Sequence, residues 1–330
     1  MRISQRALIP LFLAPLAAAC AGDGPAAATA PPAELRSFTV TPEAHAAARL
    51  ASRRLIRSLP IIARRSGPSG DRVGVSAALV RSPLDLSNHG GLVVGAAKSW
   101  NVYVNCSDGP GCWGSDAVGP AEFLADLAGS RMIHLADQYL YPSRTGYFAE
   151  TRRAPFTVGE MTTTAAFAAN TATMDDVLGI VYAAYQRNGS AGGYTNIYHV
   201  FLPQGIDMCQ ADSICYSPDN WNTFYFCAFH GSVDFGAGAH VLFSVEPYQY
   251  VPGCTAHPEL PVFDATANTL SHEFFETISD PDLDAWWNDL TQFEMGDLCQ
   301  AFESAEHLGA HSYLLQLEYS NRVHGCVDAP

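Results

Sequence analysis

The chain has 330 residues, of which 48% are hydrophobic and 15% are charged, and its formal net charge is −15. This length and composition are sufficient for one large domain or two small ones with a substantial buried core. The negative charge and the presence of a single lysine, Lys98, argue against binding to nucleic acid and against electrostatic attachment to anionic lipid.

The N-terminus has the features of an export signal. Arg2 and Arg6 precede an apolar run at residues 7–19, which is too short to span a bilayer as a mature helix. The run ends in "LAAAC", which is similar to a bacterial lipobox and would make Cys20 a lipidated N-terminus, although its leucine lies one place too early. Simple cleavage after an A-x-A site is the alternative. We therefore predict an exported protein that is either secreted or held at the membrane or cell surface by a lipid anchor.

Three regions are predicted along the chain. Residues 1–20 form the signal peptide, residues 21–88 form a tether and leader rich in Ala, Pro, Ser and Arg, and residues 89–330 form the main domain. Within the leader, Thr41 is a candidate N-cap for one amphipathic helix that extends to Leu59.

The main domain combines strands and helices. Side-chain periodicity predicts a strand at 100–106, helices at 119–140 and 174–189, strands at 196–205, 223–231 and 240–248, a helix that carries His272, and a last strand at 312–321. This order predicts an α+β fold, in which helices pack against a mixed sheet and one of them carries the candidate site.

Cysteine content agrees with export. Eight of the nine cysteines remain when Cys20 is set aside, an even number that suits an oxidising compartment. Proximity along the chain predicts the disulfide bonds Cys106–Cys112, Cys209–Cys215, Cys227–Cys254 and Cys299–Cys326. A zinc site made of cysteines is not favoured, because the chain has no C-x-x-C pair.

The stretch "NTLSHEFFETISDPDLDAWW", residues 268–287, contains the strongest chemical motif. His272 and Glu273 form the opening of a zinc-protease signature, and Glu276 occupies the place of its usual second histidine. Positions i and i+4 of a helix lie on one face, so His272 and Glu276 can bind the same ion. Glu273 projects about 100° further round the helix, where the corresponding residue of H-E-x-x-H enzymes is the general base.

A metal site needs a third ligand, and the sequence leaves three alternatives. Asp297 lies in a downstream segment beside a cysteine, and His230 lies at the end of a predicted strand; we rank these two equally. Asp280 ranks behind them, because the residue before a proline is pushed out of the helical region. Zinc is the expected ion.

Two other interpretations of this stretch remain. Asp280, Asp282 and Asp284 alternate like the start of a calcium loop, but Ala285 stands where such a loop needs glycine. Calcium is therefore less favoured than zinc, and a capped, solvated acidic turn is preferred to a calcium loop. His272 with Glu276 could also be an ordinary helix pair worth about 0.2–0.5 kcal/mol, although the apolar residues around it favour burial.

Several motifs occur in an order that resembles one family. "LSHEFFETISDPDLDAWW" is followed by "EMGDLC", and "HGGLVV", "IYHVFLPQGIDMC", "FYFCAFHG" and "YLLQLEYSNRVHGC" add further similarity. Over residues 89–330 the chain resembles the EXORDIUM or phosphate-induced protein family, and its Asp-Pro is similar to that of bacterial members. The resemblance implies a secreted protein associated with a wall or surface, and it implies no agreed reaction.

These features predict an exported, zincin-like, metal-dependent hydrolase that acts on peptide bonds, with Glu273 as its base. The competing prediction is a non-catalytic cell-surface or wall-associated protein of the same family, with a structural ion or none. An extracellular peptide or a cell-wall component is the expected partner.

Overall fold

The computed structural model describes residues 36–52, 58–62, 82–106, 112–113, 118–140, 156–220, 222–236, 238–249, 254 and 261–330. Its strands are β1 (Arg36–Thr39), β2 (Ser58–Ile62), β3 (Ser87–Asn88), β4 (Lys98–Val104), β5 (Thr157–Thr164), β6 (Thr171–Thr173), β7 (Gly193–Phe201), β8 (Asp207–Ala211), β9 (Ile214–Tyr216), β10 (Phe226–Asp234), β11 (His240–Glu246), β12 (Trp286–Trp287), β13 (Glu303–Leu308), β14 (His311–Gln316), β15 (Glu318–Ser320) and β16 (Gly325–Val327). Its α-helices are α1 (Pro42–Ala51), α2 (Pro120–Gly129), α3 (Met174–Arg187) and α4 (Val262–Ser279), and short 3-10 helices cover Met132–Tyr139, Ala168–Asn170 and Asp297–Cys299.

A seven-stranded mixed sheet, in the order β1-β5-β4-β7-β11-β10-β2, organises the fold. The strands from β1 to β11 in that order pair in parallel, and β10 is antiparallel to both of its neighbours. The central strands are buried almost throughout, as expected for strands that helices cover on both sides. The predicted α+β fold with a mixed sheet and packed helices is confirmed.

Helices cover the two faces of this sheet with separate clusters of buried side chains. One cluster joins α1 and α3 to the sheet and includes Tyr198 and Val200 of β7. The other joins α2 and α4 to the sheet and includes Ile197 and Phe201 of the same strand. Since successive side chains of a strand point to opposite faces, α3 and α4 lie on opposite sides of the sheet.

The predicted helices exist, with different ends. Thr41 is the N-cap of α1, where its hydroxyl accepts the Ala44 N–H, but the helix ends at Ala51 rather than Leu59. The single helix expected at 119–140 is broken at Ser130, whose side chain bonds to backbone groups on either side. A serine that binds the nearby backbone in this way competes with helical hydrogen bonds.

Part of the predicted leader belongs to the main sheet. β1 pairs with β5, β2 pairs with β10, and α1 packs against α3. These parts of the predicted leader, residues 36–52 and 58–62, therefore belong to the same compact unit as the main domain. The alanines of the predicted leader suggested a tether, yet Ala44, Ala48 and Ala51 form a small-residue face of α1 that is buried in the core. The predicted signal peptide, Cys20 and the start of the tether lie outside the described residues.

All four predicted disulfide bonds are present: Cys106–Cys112, Cys209–Cys215, Cys227–Cys254 and Cys299–Cys326. Such bonds form and persist in oxidising compartments and are typical of a secreted protein. In the part of the chain that the structure describes, no helix has both the length and the apolar character of a membrane span.

Candidate metal centre

The motif residues lie on the second half of α4, which is enclosed by other elements. β10 and β11 pack against one side of this helix, and β14 packs against it as well. His272 is 1% exposed, Glu273 is 0% exposed and Glu276 is 2% exposed. The polar residues of the motif are therefore buried together with the apolar ones, as the apolar surroundings predicted.

His272 and Glu276 face each other across one helical turn, as the sequence predicted. Their Nε2 and Oε1 atoms are 2.9 Å apart, and Oδ1 of Asp297 lies 3.8 Å from the same nitrogen. The backbone N–H of Asp297 also donates to Glu276 Oε1 at 3.1 Å. We call His272, Glu276 and Asp297 the first triad; their ligand atoms lie within 4.8 Å of one another.

His230 reaches the same helix from β10 but meets different atoms. Its Nδ1 lies 3.1 Å from Glu273 Oε2 and 3.5 Å from Glu276 Oε2. We call His230, Glu273 and Glu276 the second triad, and its ligand atoms also lie within 4.8 Å of one another. The two alternatives for a third ligand, Asp297 and His230, thus lie on different sides of Glu276.

In each imidazole, the ring nitrogen that does not face the triad carboxylates contacts another protein group. His272 Nδ1 lies 3.3 Å from Gln316 Oε1, and Gln316 Nε2 donates to the Gly296 carbonyl at 2.7 Å. His230 Nε2 lies 3.3 Å from the Asp280 carbonyl oxygen. Outer contacts of this kind fix the ring orientation and the tautomer of metal-binding histidines. They leave one nitrogen of each ring directed at Glu276.

One oxygen of Asp280 caps a turn, and the ligand role of this residue stays a prediction. Its Oδ1 accepts the N–H groups of Asp284 at 2.8 Å and of Ala285 at 2.7 Å, and so caps the turn that follows α4. Its neighbour Asp282 is paired with Tyr194 and with His240. Because these carboxylates bind different protein groups, the contacts agree with a capped acidic turn and not with a calcium loop. Asp280 is, however, buried rather than solvated.

A short loop at residues 294–297 covers the centre; the sequence predicted its Asp297 as a ligand but did not assign a role to its Glu294. Glu294 Oε1 lies 3.7 Å from His230 Nε2, so residues 294–297 contribute one carboxylate near each histidine. A Cβ atom on Gly296 would lie only 2.8 Å from His272 Nδ1 and 2.9 Å from Glu276 Oε1. The glycine between two acidic residues in "EMGDLC" was the available signal, because so close an approach excludes a side chain.

The centre buries far more carboxyl groups than imidazoles. Its two histidines, His230 and His272, meet an excess of carboxylates. Seven carboxylates lie in or next to the centre, and all are buried except Asp297, whose side chain is 10% exposed: Glu246, Glu273, Glu276, Asp280, Glu294, Asp297 and Glu318. None of these seven pairs with a lysine or arginine among the described residues.

This imbalance displaces the pKa of most of these groups. Burial, reinforced by the Glu276 charge, raises the pKa of Glu294 well above its usual value and that of Asp297 to about 7. Burial would also raise the pKa of Glu276, but the two imidazoles outweigh it and lower this pKa to about 2. Glu276 is therefore the carboxylate that stays ionised between the two histidines.

A third histidine on the same face of the sheet shows what burial does without carboxylates. His199 contacts the hydroxyls of Ser244 at 2.8 Å and Ser99 at 3.2 Å, and burial lowers its pKa to about 3. Burial acts in the same direction on His230 and His272, yet the surrounding carboxylates raise the pKa of both well above the usual value. The α4 site is therefore built to hold positive charge.

The residues present fit a bound cation. Several buried carboxylate oxygens accept no hydrogen bond within the described part of the chain: Oε1 of Glu273, Oδ2 of Asp280, and both oxygens of Glu294 and of Glu318. Leaving such groups without partners costs free energy that a cation would recover. Imidazole nitrogen with carboxylate oxygen is a ligand set for zinc, whereas calcium takes oxygen ligands. His230 and His272 therefore favour zinc over calcium.

No protein-family model, curated protein or solved structure matches the chain. The resemblance to the EXORDIUM family and the zincin-like arrangement of the fold therefore stay predictions, and the chemistry of the centre has to be argued from its own residues.

Proposed function

We propose that this protein is an exported metalloprotein that binds zinc in the centre on α4. One observation carries the proposal: seven carboxylates surround two imidazoles in the interior, with no lysine or arginine pairing among the described residues. Buried charges of one sign require counter-charges or protons. His272, Glu276 and Asp297 would hold the ion, and His230 with Glu273 would lie beside it.

A structural role of the ion suits the closed geometry best. His272 and Glu276 come from α4 and Asp297 comes from the loop at 294–297, so a bound ion would join that loop to the helix, beside His230 of β10. Structural zinc sites are closed, and catalytic ones keep an open position. Among the described ligands, only Asp297 reaches solvent. This geometry supports a non-catalytic role for the ion.

Hydrolysis of peptide bonds is the second candidate function, and the His-Glu motif favours it. A bound zinc ion acts as a Lewis acid towards a carbonyl group. Glu273 is suited to accept a proton, because burial raises its pKa above the usual value of a carboxyl group. A zincin-like reaction would require the loop at 294–297 to move, since this loop covers His272 and Glu276.

Metal content tests the proposal. We would purify the full chain with its disulfide bonds formed and measure zinc by elemental mass spectrometry, together with His272→Ala and with His240→Ala as a control outside both triads. We expect bound zinc in the wild type and in His240→Ala, and a reduced content in His272→Ala. Absence of zinc from a folded wild-type protein, even after incubation with zinc chloride, would refute metal binding.

A peptide-cleavage assay separates the two candidate functions. Zinc-loaded wild type and Glu273→Gln would be incubated with a mixed peptide library. Cleavage by the wild type that is lost in Glu273→Gln would support the hydrolase; intact peptides with a fully loaded protein would support the structural ion.

The N-terminus defines the proposed location. We propose that Cys20 is lipidated and anchors the exported chain, which would bring the domain close to extracellular peptides or cell-wall components. Mass spectrometry of the mature N-terminus tests this: a diacylglyceryl group on Cys20 is expected, and an unmodified N-terminus would show simple cleavage instead.

A further inference from the structure

We propose that the centre holds two divalent metal ions and that the Glu276 carboxylate bridges them. This inference rests on the proposed metal binding and extends it from one ion to two. The first ion would be held by the first triad, and the second ion by the second triad.

Glu276 is the only residue that the two triads share. Its Oε1 lies 2.9 Å from His272 Nε2, whereas its Oε2 lies 3.5 Å from His230 Nδ1. The helix explains this position, because Glu276 is four residues after His272 and three residues after Glu273, and both spacings place side chains on adjoining parts of one face. Each oxygen of this carboxylate therefore faces a different histidine.

The grouping of the ligand atoms favours two ions over one. A single zinc ion with ligands at about 2.0–2.2 Å would draw all of its ligand atoms into one mutually close group. The described residues instead form two groups of three whose atoms lie within 4.8 Å, His272 with Glu276 and Asp297, and His230 with Glu273 and Glu276. One histidine belongs to each group.

The outer contacts of the histidines agree with this division. Gln316 holds Nδ1 of His272, and the Asp280 carbonyl holds Nε2 of His230. Each ring can therefore offer one nitrogen, and the two offered nitrogens face different oxygens of Glu276. The arrangement resembles two imidazole–carboxylate half-sites around a shared carboxylate.

Charge also favours a second ion. One divalent cation would compensate two ionised carboxylates, and two cations would allow up to four of the seven to be ionised. Glu294 adds an independent observation: it is 0% exposed, neither of its oxygens has a hydrogen-bond partner in the described part of the chain, and Oε1 lies 3.7 Å from His230 Nε2. It lies beside Nε2 of His230, the ring nitrogen that faces away from the second triad, so it adds a buried carboxyl group next to the centre and not a ligand. Within the second triad, Glu273 Oε1 is buried and accepts no hydrogen bond in the described part of the chain.

The ligand types indicate which ions would fit. Imidazole nitrogen and carboxylate oxygen suit zinc, and also manganese and iron, because these first-row ions accept mixed nitrogen and oxygen ligands. Two such ions about 3.5–4 Å apart occur in hydrolytic enzymes, where they stabilise the attacking and the leaving oxygen. The proposal therefore concerns a dinuclear centre with imidazole and carboxylate ligands.

Zinc stoichiometry and X-ray absorption test the proposal on the full chain. We would load the purified protein with zinc chloride, remove unbound ions, and count zinc per chain by elemental mass spectrometry. We expect two zinc ions per chain and a zinc–zinc distance of roughly 3.5–4 Å in the X-ray absorption fine structure. His240→Ala should keep both ions.

Variants assign the ions to the triads. We expect one ion in His272→Ala and one in His230→Ala, while the isosteric Glu276→Gln should weaken the binding of both by tenfold or more and abolish the zinc–zinc signal. Near-ultraviolet circular dichroism would verify that each variant is folded. If a variant does not fold, the X-ray absorption spectrum of the wild type still shows whether two zinc ions lie close together.

The outcomes separate the two proposals. One zinc ion per chain without a zinc–zinc signal would overturn the dinuclear centre and leave the proposed function intact. No zinc in a folded wild-type protein would overturn both. Two ions at the expected separation, with one retained in each histidine variant, would establish the dinuclear centre.

Discussion

The two faces of the seven-stranded sheet bury different kinds of side chain. On the α3 face the core is almost entirely apolar, and residues such as Val177, Leu178 and Val181 pack against the strands. On the α4 face, apolar residues such as Phe274 and Phe275 surround a group of buried carboxylates and imidazoles. Hydrophobic burial is sufficient to hold α3 in place, whereas α4 also needs compensation of its charges. The stability of the two faces should therefore respond to different conditions.

Removal of the proposed metal should have the largest effect on stability, and this effect should originate on the α4 face. We expect exhaustive dialysis against a chelator to lower the free energy of unfolding by about 4 kcal/mol or more, the value for an ion present at a thousand times its dissociation constant. Thermal unfolding followed by circular dichroism would measure the loss, and re-addition of zinc should restore the stability. An unchanged melting temperature in a protein shown to have lost bound metal would contradict the distinction between the two faces.

Leu178→Ala should weaken the α3 face without affecting metal. Leu178 is 0% exposed in the apolar core, so the substitution removes buried methyl groups and leaves a cavity, at a cost of about 3 kcal/mol. Denaturant unfolding would measure the cost, and elemental mass spectrometry should find the zinc content of the wild type. A coupled loss of zinc would show that the two faces are not independent.

Gly296→Ala should disturb the α4 face through the loop that covers it. The added Cβ would meet His272 and Glu276 at under 3.0 Å, so the loop or the ligands must shift, and we expect a loss of about 1–3 kcal/mol, the usual cost of overpacking. Gly325→Ala is the matched control, since a Cβ there meets nothing within 4 Å. Zinc affinity, measured by competition with a chromogenic chelator, should fall in the first variant only. Equal affinities in both variants would count against the centre.

At the margin of the α4 face, we expect a smaller effect of pH on the free energy of unfolding. His240 Nδ1 lies 2.9 Å from Asp234 Oδ1 and its Nε2 lies 3.1 Å from Asp282 Oδ1. The contact with Asp282 makes the largest contribution, and together the two aspartates raise the pKa of His240 from 6.5 to about 9 against a smaller opposing effect of burial.

Because the folded pKa exceeds the unfolded one, this stabilisation is complete below pH 6.5 and is lost as the pH rises through about 9. Asp234 is partly exposed, so we expect a change of only about 1–2 kcal/mol after allowance for solvent screening. Denaturant unfolding at pH 6 and pH 10 would measure it. His240→Gln should remove this pH-dependent part of the free energy of unfolding. If the variant keeps the full pH dependence, other groups are responsible for it.

The sequence predicted the parts of the site that depend on local spacing. Helical periodicity placed His272 and Glu276 on one face, and proximity along the chain predicted the four disulfide bonds. It also predicted the central strands that place His230 near α4. These features could be read because they depend on a few neighbouring residues, or on pairs separated by short loops.

Long-range packing determined the rest. The sequence did not show that Glu273 would meet His230, because these residues are 43 positions apart and belong to different elements. It gave no sign that Glu294 and Glu318 would be buried beside the histidines, since an acidic residue is usually exposed until a fold encloses it.

The sequence by itself determined a helix with a His-Glu motif, an oxidised set of cysteines and a mixed arrangement of helices and strands. Only the tertiary structure decided that the motif would be closed over by the loop at 294–297 and that Glu276 would lie between two histidines from different elements. The physical reason is that local spacing fixes which side chains share a face, whereas burial and the meeting of charges arise only when separate elements pack together.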